Sequence, residues 1–433
     1  MLGTERAATR RQIVSSLLAA PMVAAAQAPG IRAHQADALV ESIGINIHAW
    51  PRSSYVSGDR WRKVILPALR ELGVRHLRDG IAGPVEVAER HAALASEGFR
   101  LTLITDPLLT PALQLGPVLK RVGLRGIAML EGVNEPDGAW VRKVGASPAL
   151  AVAHQRDLHA VGSSLGIPVA ASALINAGAA REYAGQAPYA DYGNCHPYPG
   201  GRIPETSGWG ANGYGSVEHG RDKLALAVAG SGKPFVATEA GYNNAVSAKA
   251  KAAAGHHGCS EAAAAAYEPR LFLHYLNLGV ARSFHYELYD QRANPDDVEA
   301  NFGWVRNDGS RKPSYVTMRN LISILSDPGP PFVPGRLSFT LAGATSGVMS
   351  CLLKKRDGTW FLALWLARSV WDIRTYSDVD LPGQTVSLTF GDSVRQVSGN
   401  HPSESTTFEE IPCSDRRVEL VVSGRIYLLR VTT

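Results

Sequence analysis

Two short segments carry carboxyl groups where a reaction would need them. Gly132-Val133-Asn134-Glu135-Pro136-Asp137-Gly138 follows one apolar run, and Ala237-Thr238-Glu239-Ala240-Gly241 ends another. A facing pair of carboxyl groups can cleave a glycosidic bond, one protonating the leaving oxygen while the other attacks the anomeric carbon. The chemistry needs the two pKa values pushed apart, and a negatively charged nucleophile helps keep its partner protonated. The plainer reading of the first segment is a strand-ending turn, because Pro and Gly end strands and Asn and Asp favour turns. The choice depends on which elements bring the two segments together.

Short β-rich runs alternate with longer helical patterns from about residue 43 to 327. The predicted strands are Ile43–His48, Val74–Arg78, Arg100–Thr105, Gly126–Leu130, Pro168–Ala173, Ala190–Asn194, Pro234–Thr238 and Ala281–Tyr286. Helical patterns fill the gaps between them, and a last one follows the eighth strand at Pro313–Leu325. Most strands are apolar at nearly every position, as in a parallel sheet buried on both faces. Eight such units predict an α/β fold of the (β/α)8 TIM barrel type. An open doubly wound sheet is the second choice, but no G-x-G-x-x-G follows the first strand and no phosphate-binding G-x-x-x-x-G-K-[ST] occurs. Beyond about Pro334 short alternating runs broken by Gly, Pro, Asn and Asp take over, which predicts a C-terminal all-β sandwich domain over 334–433. The barrel is expected over 29–333.

Barrel enzymes work at the C-terminal ends of their strands. Those ends carry His48 and Trp50 after the first strand and Arg78 after the second. Asn134 and Glu135 follow the fourth, His196 and Tyr198 the sixth, Glu239 the seventh and Tyr286 the eighth. The fourth and seventh strands stand on opposite sides of an eight-stranded barrel, so Glu135 and Glu239 can face each other across its mouth. Arg78 is either a partner of this pair or a structural ion pair with Asp79 or Asp106. His48 is either a satisfied mouth histidine or a substrate contact.

Asn134-Glu135-Pro136 together with Glu239-Ala240-Gly241 resembles the clan A retaining glycoside hydrolases, and His196-Pro197-Tyr198 is similar to the position in that clan that contacts the nucleophile. The run Phe302-Gly303-Trp304-Val305-Arg306-Asn307-Asp308-Gly309, followed by Lys312-Pro313-Ser314-Tyr315, resembles the segment leading into the last barrel helix of several of these families. Family 39 and related polysaccharide-acting members are the nearest in pattern. The resemblance implies Glu135 as acid/base and Glu239 as nucleophile. It also implies Asn134 on the sugar 2-OH, Arg78 supporting the nucleophile, and His196 or Tyr198 orienting it, with no cofactor. This chain departs from the clan at the eighth strand, where many members carry a sugar-stacking Trp and this one has Tyr286, Leu288 and Tyr289. Trp50, Trp140, Trp209 and Tyr242 are the other candidates for stacking.

The chain's 433 residues, 45% hydrophobic and 19% charged, are those of a folded globular protein. A formal charge of +5 with scattered Lys and Arg argues against nucleic acid as a partner. The segment Thr9-Arg10-Arg11-Gln12-Ile13-Val14, an Ala-rich apolar stretch and Ala26-Gln27-Ala28 read as a twin-arginine-like export signal over 1–28. The protein is therefore expected to be exported, periplasmic or extracellular, with no membrane span. Four cysteines allow three disulfide pairings, of which Cys351–Cys413 is favoured because both lie in the C-terminal segment. His256-His257-Gly258-Cys259 offers metal-binding residue types but sits in an Ala/Lys-rich polar loop, and Asp290, Asp296 and Asp297 offer Ca²⁺ ligands at a spacing that matches no EF-hand loop, so both read as solvated loops. The leading function is hydrolysis of a β-linked poly- or oligosaccharide; the alternative is an inactive barrel that binds polysaccharide.

Overall fold

The computed structural model describes residues 30–433 except 82, 143, 144, 146, 211, 212, 254 and 255, so the expected export segment lies outside the described residues. Eight parallel strands form the central sheet: β1 (Ile43–Asn46), β2 (His76–Gly80), β3 (Arg100–Ile104), β4 (Ile127–Glu131), β5 (Val169–Ala170), β6 (Gly193–Cys195), β7 (Phe235–Ala240) and β8 (Ser283–His285). Neighbours pair in chain order from β1 to β5 and from β6 to β8, and β8 returns to β1. Parallel bridges Ala170–Tyr192 and Leu174–Cys195 close the ring between β5 and β6. Ring closure makes this the (β/α)8 barrel rather than the open sheet. Each strand overlaps its predicted run.

Local chemistry explains the helices that surround the ring. Helix Pro148–Leu165 begins on Ser147, whose hydroxyl accepts the Leu150 N–H at 3.2 Å, and ends on Gly166 at φ 69°. A capping hydroxyl, Pro in the first turn and a left-handed glycine at the end are the expected start and stop signals. Inside the ring the side chains change character along each strand. Met129, Ala170 and Val236 make a small apolar cluster. Because side chains alternate with period two, Glu131 shares a face with Met129, and Thr238 shares one with Val236. The barrel interior therefore turns polar towards the C-terminal ends, where the reacting groups must sit.

The C-terminal region is a two-sheet sandwich. Strands β9 (Phe339–Gly343), β12 (Gln384–Phe390) and β14 (Arg417–Val422) make one sheet, in the order β9-β12-β14. Strands β10 (Val348–Lys354), β11 (Trp360–Leu366), β13 (Gln396–Asn400) and β15 (Tyr427–Thr432) form the body of the other. All of β11 is buried, which explains its unbroken apolar sequence. Phe361, Ala363 and Trp365 face the barrel's core, while Trp360, Leu362, Leu364 and Leu366 fill the sandwich interior.

Three details depart from expectation. Ile31–Arg32 pairs with Arg336–Leu337, and His34–Gln35 adds in parallel to β10, so the first described residues belong to the sandwich sheets rather than to a barrel starting at 29. β13 carries no apolar alternation in its sequence, yet four of its five residues are buried because β15 covers it. All four cysteines are free. Cys351 faces the barrel side of its sheet and Cys413 packs against the sandwich interior, so the favoured pair stands on opposite sides of one sheet.

An ion pair locks the two domains together. Arg270, fully buried, bonds Glu205 at 2.6 Å and donates to the carbonyls of Arg368 and Gly424, both at 3.1 Å. Glu205 also accepts the Trp365 indole N–H at 2.6 Å. Glu205→Ala strands a buried guanidinium and an indole donor at the interface, and removing one partner of such a pair costs about 3–5 kcal/mol. Thermal melting should show the loss as a clearly lowered transition; an unchanged Tm would contradict this role.

Candidate active site

Arg78 organises the barrel mouth. It projects from β2, is only 1% exposed, and satisfies its whole guanidinium fork. Nε and Nη2 donate to the two oxygens of Glu131, each at 2.7 Å. Nη1 donates to Asn46 at 2.9 Å and to Glu239 Oε1 at 2.6 Å, and Nη2 also donates to Asn134 Oδ1 at 2.7 Å. Burial works against this charge, but Glu131 and Glu239 more than offset it and raise the Arg78 pKa. The alternative ion pair with Asp79 or Asp106 is not what forms. Asp79 instead accepts from the backbone of Ala49 and Gly80 and pairs with His91 at 2.9 Å.

Glu239 lies at the end of β7 between two donors. Its second oxygen accepts the Tyr198 hydroxyl at 2.6 Å. Burial opposes its charge, yet His196, Arg78 and the Tyr198 hydrogen bond outweigh that cost and hold its pKa well below the ordinary carboxylate value. Glu135 is treated oppositely. Burial is the main force raising its pKa, with the charge of Glu239 adding to it and His196 and Arg78 opposing. Its backbone sits at φ 44°, a left-handed conformation that is uncommon outside glycine and recurs at functional sites. Donor atoms of Glu135, His196 and Glu239 all lie within 4.8 Å of one another. That spacing would fit a metal ion, but both oxygens of Glu239 are taken and the Arg78 guanidinium already brings the positive charge.

His196 is fully buried beneath the pair, and its protons can be traced. Nδ1 lies 2.7 Å from Glu135 Oε1, and Nε2 lies 3.0 Å from Thr238 Oγ1. The single Thr238 hydroxyl hydrogen goes to Glu131 at 3.0 Å or to Asn194 Oδ1 at 2.9 Å. Its oxygen is then left to accept, which puts a proton on Nε2 of His196. One further proton bridges Nδ1 and the Glu135 carboxyl. Asn134 gives its oxygen to Arg78, and among the described residues nothing accepts from its NH2 end, which leaves it open to a ligand.

These groups open into a cavity of about 650 Å³ lined by Asn46, His48, Arg78, Asp79, Asn134, Glu135, Tyr198, Glu239 and Tyr286, with Ile47, Ile104 and Ile175 as apolar wall. His48 lies 3.0 Å from Glu287, which also accepts the Tyr55 hydroxyl at 2.8 Å. Trp50 is not among the lining residues; it is 36% exposed, with its ring over Gly83. Tyr242 is buried and bonds the Arg202 carbonyl, and the side chain of Trp140 lies outside the described residues. Trp209 does line the cavity, in edge contact with Tyr214 and His256.

The histidine loop is therefore not solvated as expected. His256 lines the cavity, and His257 Nδ1 meets the Tyr376 hydroxyl of the sandwich at 2.7 Å. The hairpin Trp371–Asp378 thus braces the wall from outside, which its spacing in the sequence could not disclose. Asp290 is not solvated either: it is buried and bonds Lys312 Nζ at 2.9 Å. Lys312 and Gly303, where a Cβ would sit 2.1 Å from the Asp290 nitrogen, make the Phe302–Tyr315 segment a brace for the end of β8.

Sequence reasoning missed Glu131, Asn194 and Glu299. Glu131 ends an apolar strand, and a buried acid there requires a cation, which was the available signal. Asn194 follows the same logic, donating to Glu131 at 3.0 Å. Glu299 lines the cavity from a loop and left no signal.

No protein-family model matches the chain, and no curated relative does. Among the described residues, no helix is long and apolar enough to cross a membrane. Solved structures do share the fold. A family 39 glycoside hydrolase from Bacteroides cellulosilyticus WH2 is 16% identical at TM-score 0.61, covering 91% of this chain and 82% of its own. A glucosidase from Croceicoccus marinus is 11% identical at TM-score 0.61, with 91% and 96% covered. An endo-β1,6-glucanase is 12% identical at TM-score 0.51, with 94% and 93% covered. The chain has the barrel-plus-sandwich fold of these glycoside hydrolases.

Proposed function

We propose that this protein is an exported retaining glycoside hydrolase that cleaves a β-linked poly- or oligosaccharide by double displacement. The observation that carries the reading is the carboxyl pair. Glu135 and Glu239 bring oxygens within 4.8 Å of each other, and their surroundings push their pKa values in opposite directions. Retaining enzymes hold such a pair about 5–5.5 Å apart, whereas inverting ones leave about 6.5–9.5 Å for a water. Glu239, kept ionised by Arg78 and Tyr198, attacks the anomeric carbon. Glu135 delivers the proton it shares with His196 to the leaving oxygen, then takes one from the water that releases the sugar. The free NH2 of Asn134 reaches a ring hydroxyl beside the bond being broken. Export rests on residues 1–28 of the sequence alone.

The pH profile tests this assignment. A depressed nucleophile must be ionised and a raised acid must be protonated, so kcat/KM should rise as pH climbs through the Glu239 value and fall through that of Glu135. The optimum therefore lies on the acidic side, with the falling limb above the ordinary carboxylate value. A panel of aryl β-glycosides and polysaccharides identifies a cleaved substrate for the measurement. Glu135→Gln should remove the falling limb and slow substrates with poor leaving groups most. A limb unchanged in that variant would rule Glu135 out, and saccharide binding without hydrolysis would favour the inactive-barrel alternative.

A further inference from the structure

The mechanism leaves one carboxyl group of the cavity without a role. Glu299 lies on the 3-10 turn Val298–Asn301 in the loop after β8, and its side chain lines the same cavity as Glu135 and Glu239. The turn beneath it is pinned. Asp297 accepts the Glu299 N–H at 3.1 Å, and the Asn301 amide donates to the carbonyls of Asn294 and Asp297 at 2.6 and 2.7 Å. The backbone is fixed, yet among the described residues the Glu299 carboxyl has no hydrogen-bond or ion-pair partner, and the charges acting on it are those of other carboxylates.

The other charged groups of the cavity are already matched. Arg78 is spent on Glu131 and Glu239, Glu135 faces His196, Asp79 pairs with His91, and His48 stands against Glu287. Burial keeps His256 on the neutral side by lowering its pKa. The described cavity thus offers a ligand one unmatched carboxyl group and no unmatched cation.

We propose, building on the glycosidase reading above, that Glu299 is the specificity-determining residue that makes this cleft select amino sugars and reject uronic acids. An ammonium substituent on a bound sugar supplies the missing positive charge and forms a charge-assisted hydrogen bond with the exposed Glu299 carboxyl at the cavity wall. A uronate brings another negative charge next to Glu299, Glu135 and Glu239, and a neutral sugar gains only an ordinary hydrogen bond. Glu299 as a whole is exposed, but partial burial of its carboxyl and then the charges of Glu239, Glu287 and Glu135 raise its pKa, and an arriving ammonium opposes that shift.

The test compares 4-nitrophenyl 6-amino-6-deoxy-β-glucoside, β-glucoside and β-glucuronide, which differ only in the charge carried at C6 and leave the 2-OH unchanged, on wild type, Glu299→Gln and Glu299→Lys. Binding of the corresponding methyl glycosides is followed by tryptophan fluorescence, since Trp209 lines the cavity. The expected order is 6-amino-6-deoxyglucoside over glucoside by about tenfold or more, with glucuronide last. Glu299→Gln should erase the amino-sugar preference, and Glu299→Lys should turn it towards the glucuronide. Equal handling of the three sugars, or a preference that survives both substitutions, would overturn the role of Glu299 and leave the glycosidase reading standing. Failure to bind or cleave any of the three would count against both.

Discussion

Glu239→Gln is expected to lower kcat/KM on a cleaved aryl β-glycoside by about 10⁴-fold or more, the scale seen when a covalent nucleophile is removed. The substitution is nearly isosteric, and the amide oxygen can still accept from Tyr198 or Arg78, so the fold should survive. What disappears is the anion that the proposed mechanism uses to attack carbon. A second effect follows from the electrostatics. The Glu239 charge helps to hold the Glu135 proton, so in the variant the Glu135 pKa should fall. Any residual activity should then lose its alkaline limb at lower pH than wild type does. A loss of activity that came only from unfolding would leave no such shift, and a thermal melt of the variant separates the two cases.

The second large effect is expected at Arg78, and it concerns stability as much as chemistry. Arg78→Met removes a guanidinium that serves Glu131, Glu239, Asn46 and Asn134 at once. Glu131, completely buried, is left as an uncompensated charge, and breaking a buried pair in this way costs about 3–5 kcal/mol. The sign of the pH dependence can be derived from Glu239. Its folded pKa is depressed, partly by Arg78, so its contribution to stability is complete above the unfolded carboxylate value and is lost as pH falls through the folded one. Without Arg78 the depression weakens, and the penalty of charged, unpaired acids is largest at neutral pH. The gap in Tm between wild type and variant should therefore narrow as pH is lowered from 8 towards 4. The acidic limb of the rate profile should move upward in the variant. A gap that widens on acidification would contradict the assigned network. Arg78→Lys, with one charge but no fork, should recover only part of the loss.

Both effects trace to residues that differed greatly in how visible they were beforehand. Glu135 and Glu239 stood out because each follows an apolar run at a strand end, and eight such runs place the fourth and seventh opposite each other. Arg78 was visible as a polar residue at a strand end, but its partners were not. Glu131 is 53 residues away in sequence and stands just past the apolar run Gly126–Leu130, which says that a cation must meet it but not which one. Periodicity reports which face a side chain is on; it does not report which charge meets it across the barrel. Loops were less legible still. His256 lies in a polar stretch that reads as solvated, and its approach to the cavity is set by tertiary contacts such as Tyr376 with His257, while Glu299 sits on a short turn that carries no signal of its own. The two-residue strands Ile31–Arg32 and His34–Gln35 were silent for a simpler reason, since two residues carry no alternation. Asn400 and its neighbours in β13 are held as a strand by pairing with β15, against a polar sequence.

One measurement bears most directly on the double-displacement account. The protein would be treated with the 2-deoxy-2-fluoro-β-glycosyl fluoride of a sugar it cleaves, then digested and mapped by mass spectrometry. The account predicts one glycosyl ester, on Glu239, with inactivation following its formation. A label on Glu135 instead, or an unlabelled protein whose first-released sugar has the inverted anomeric configuration, would contradict it.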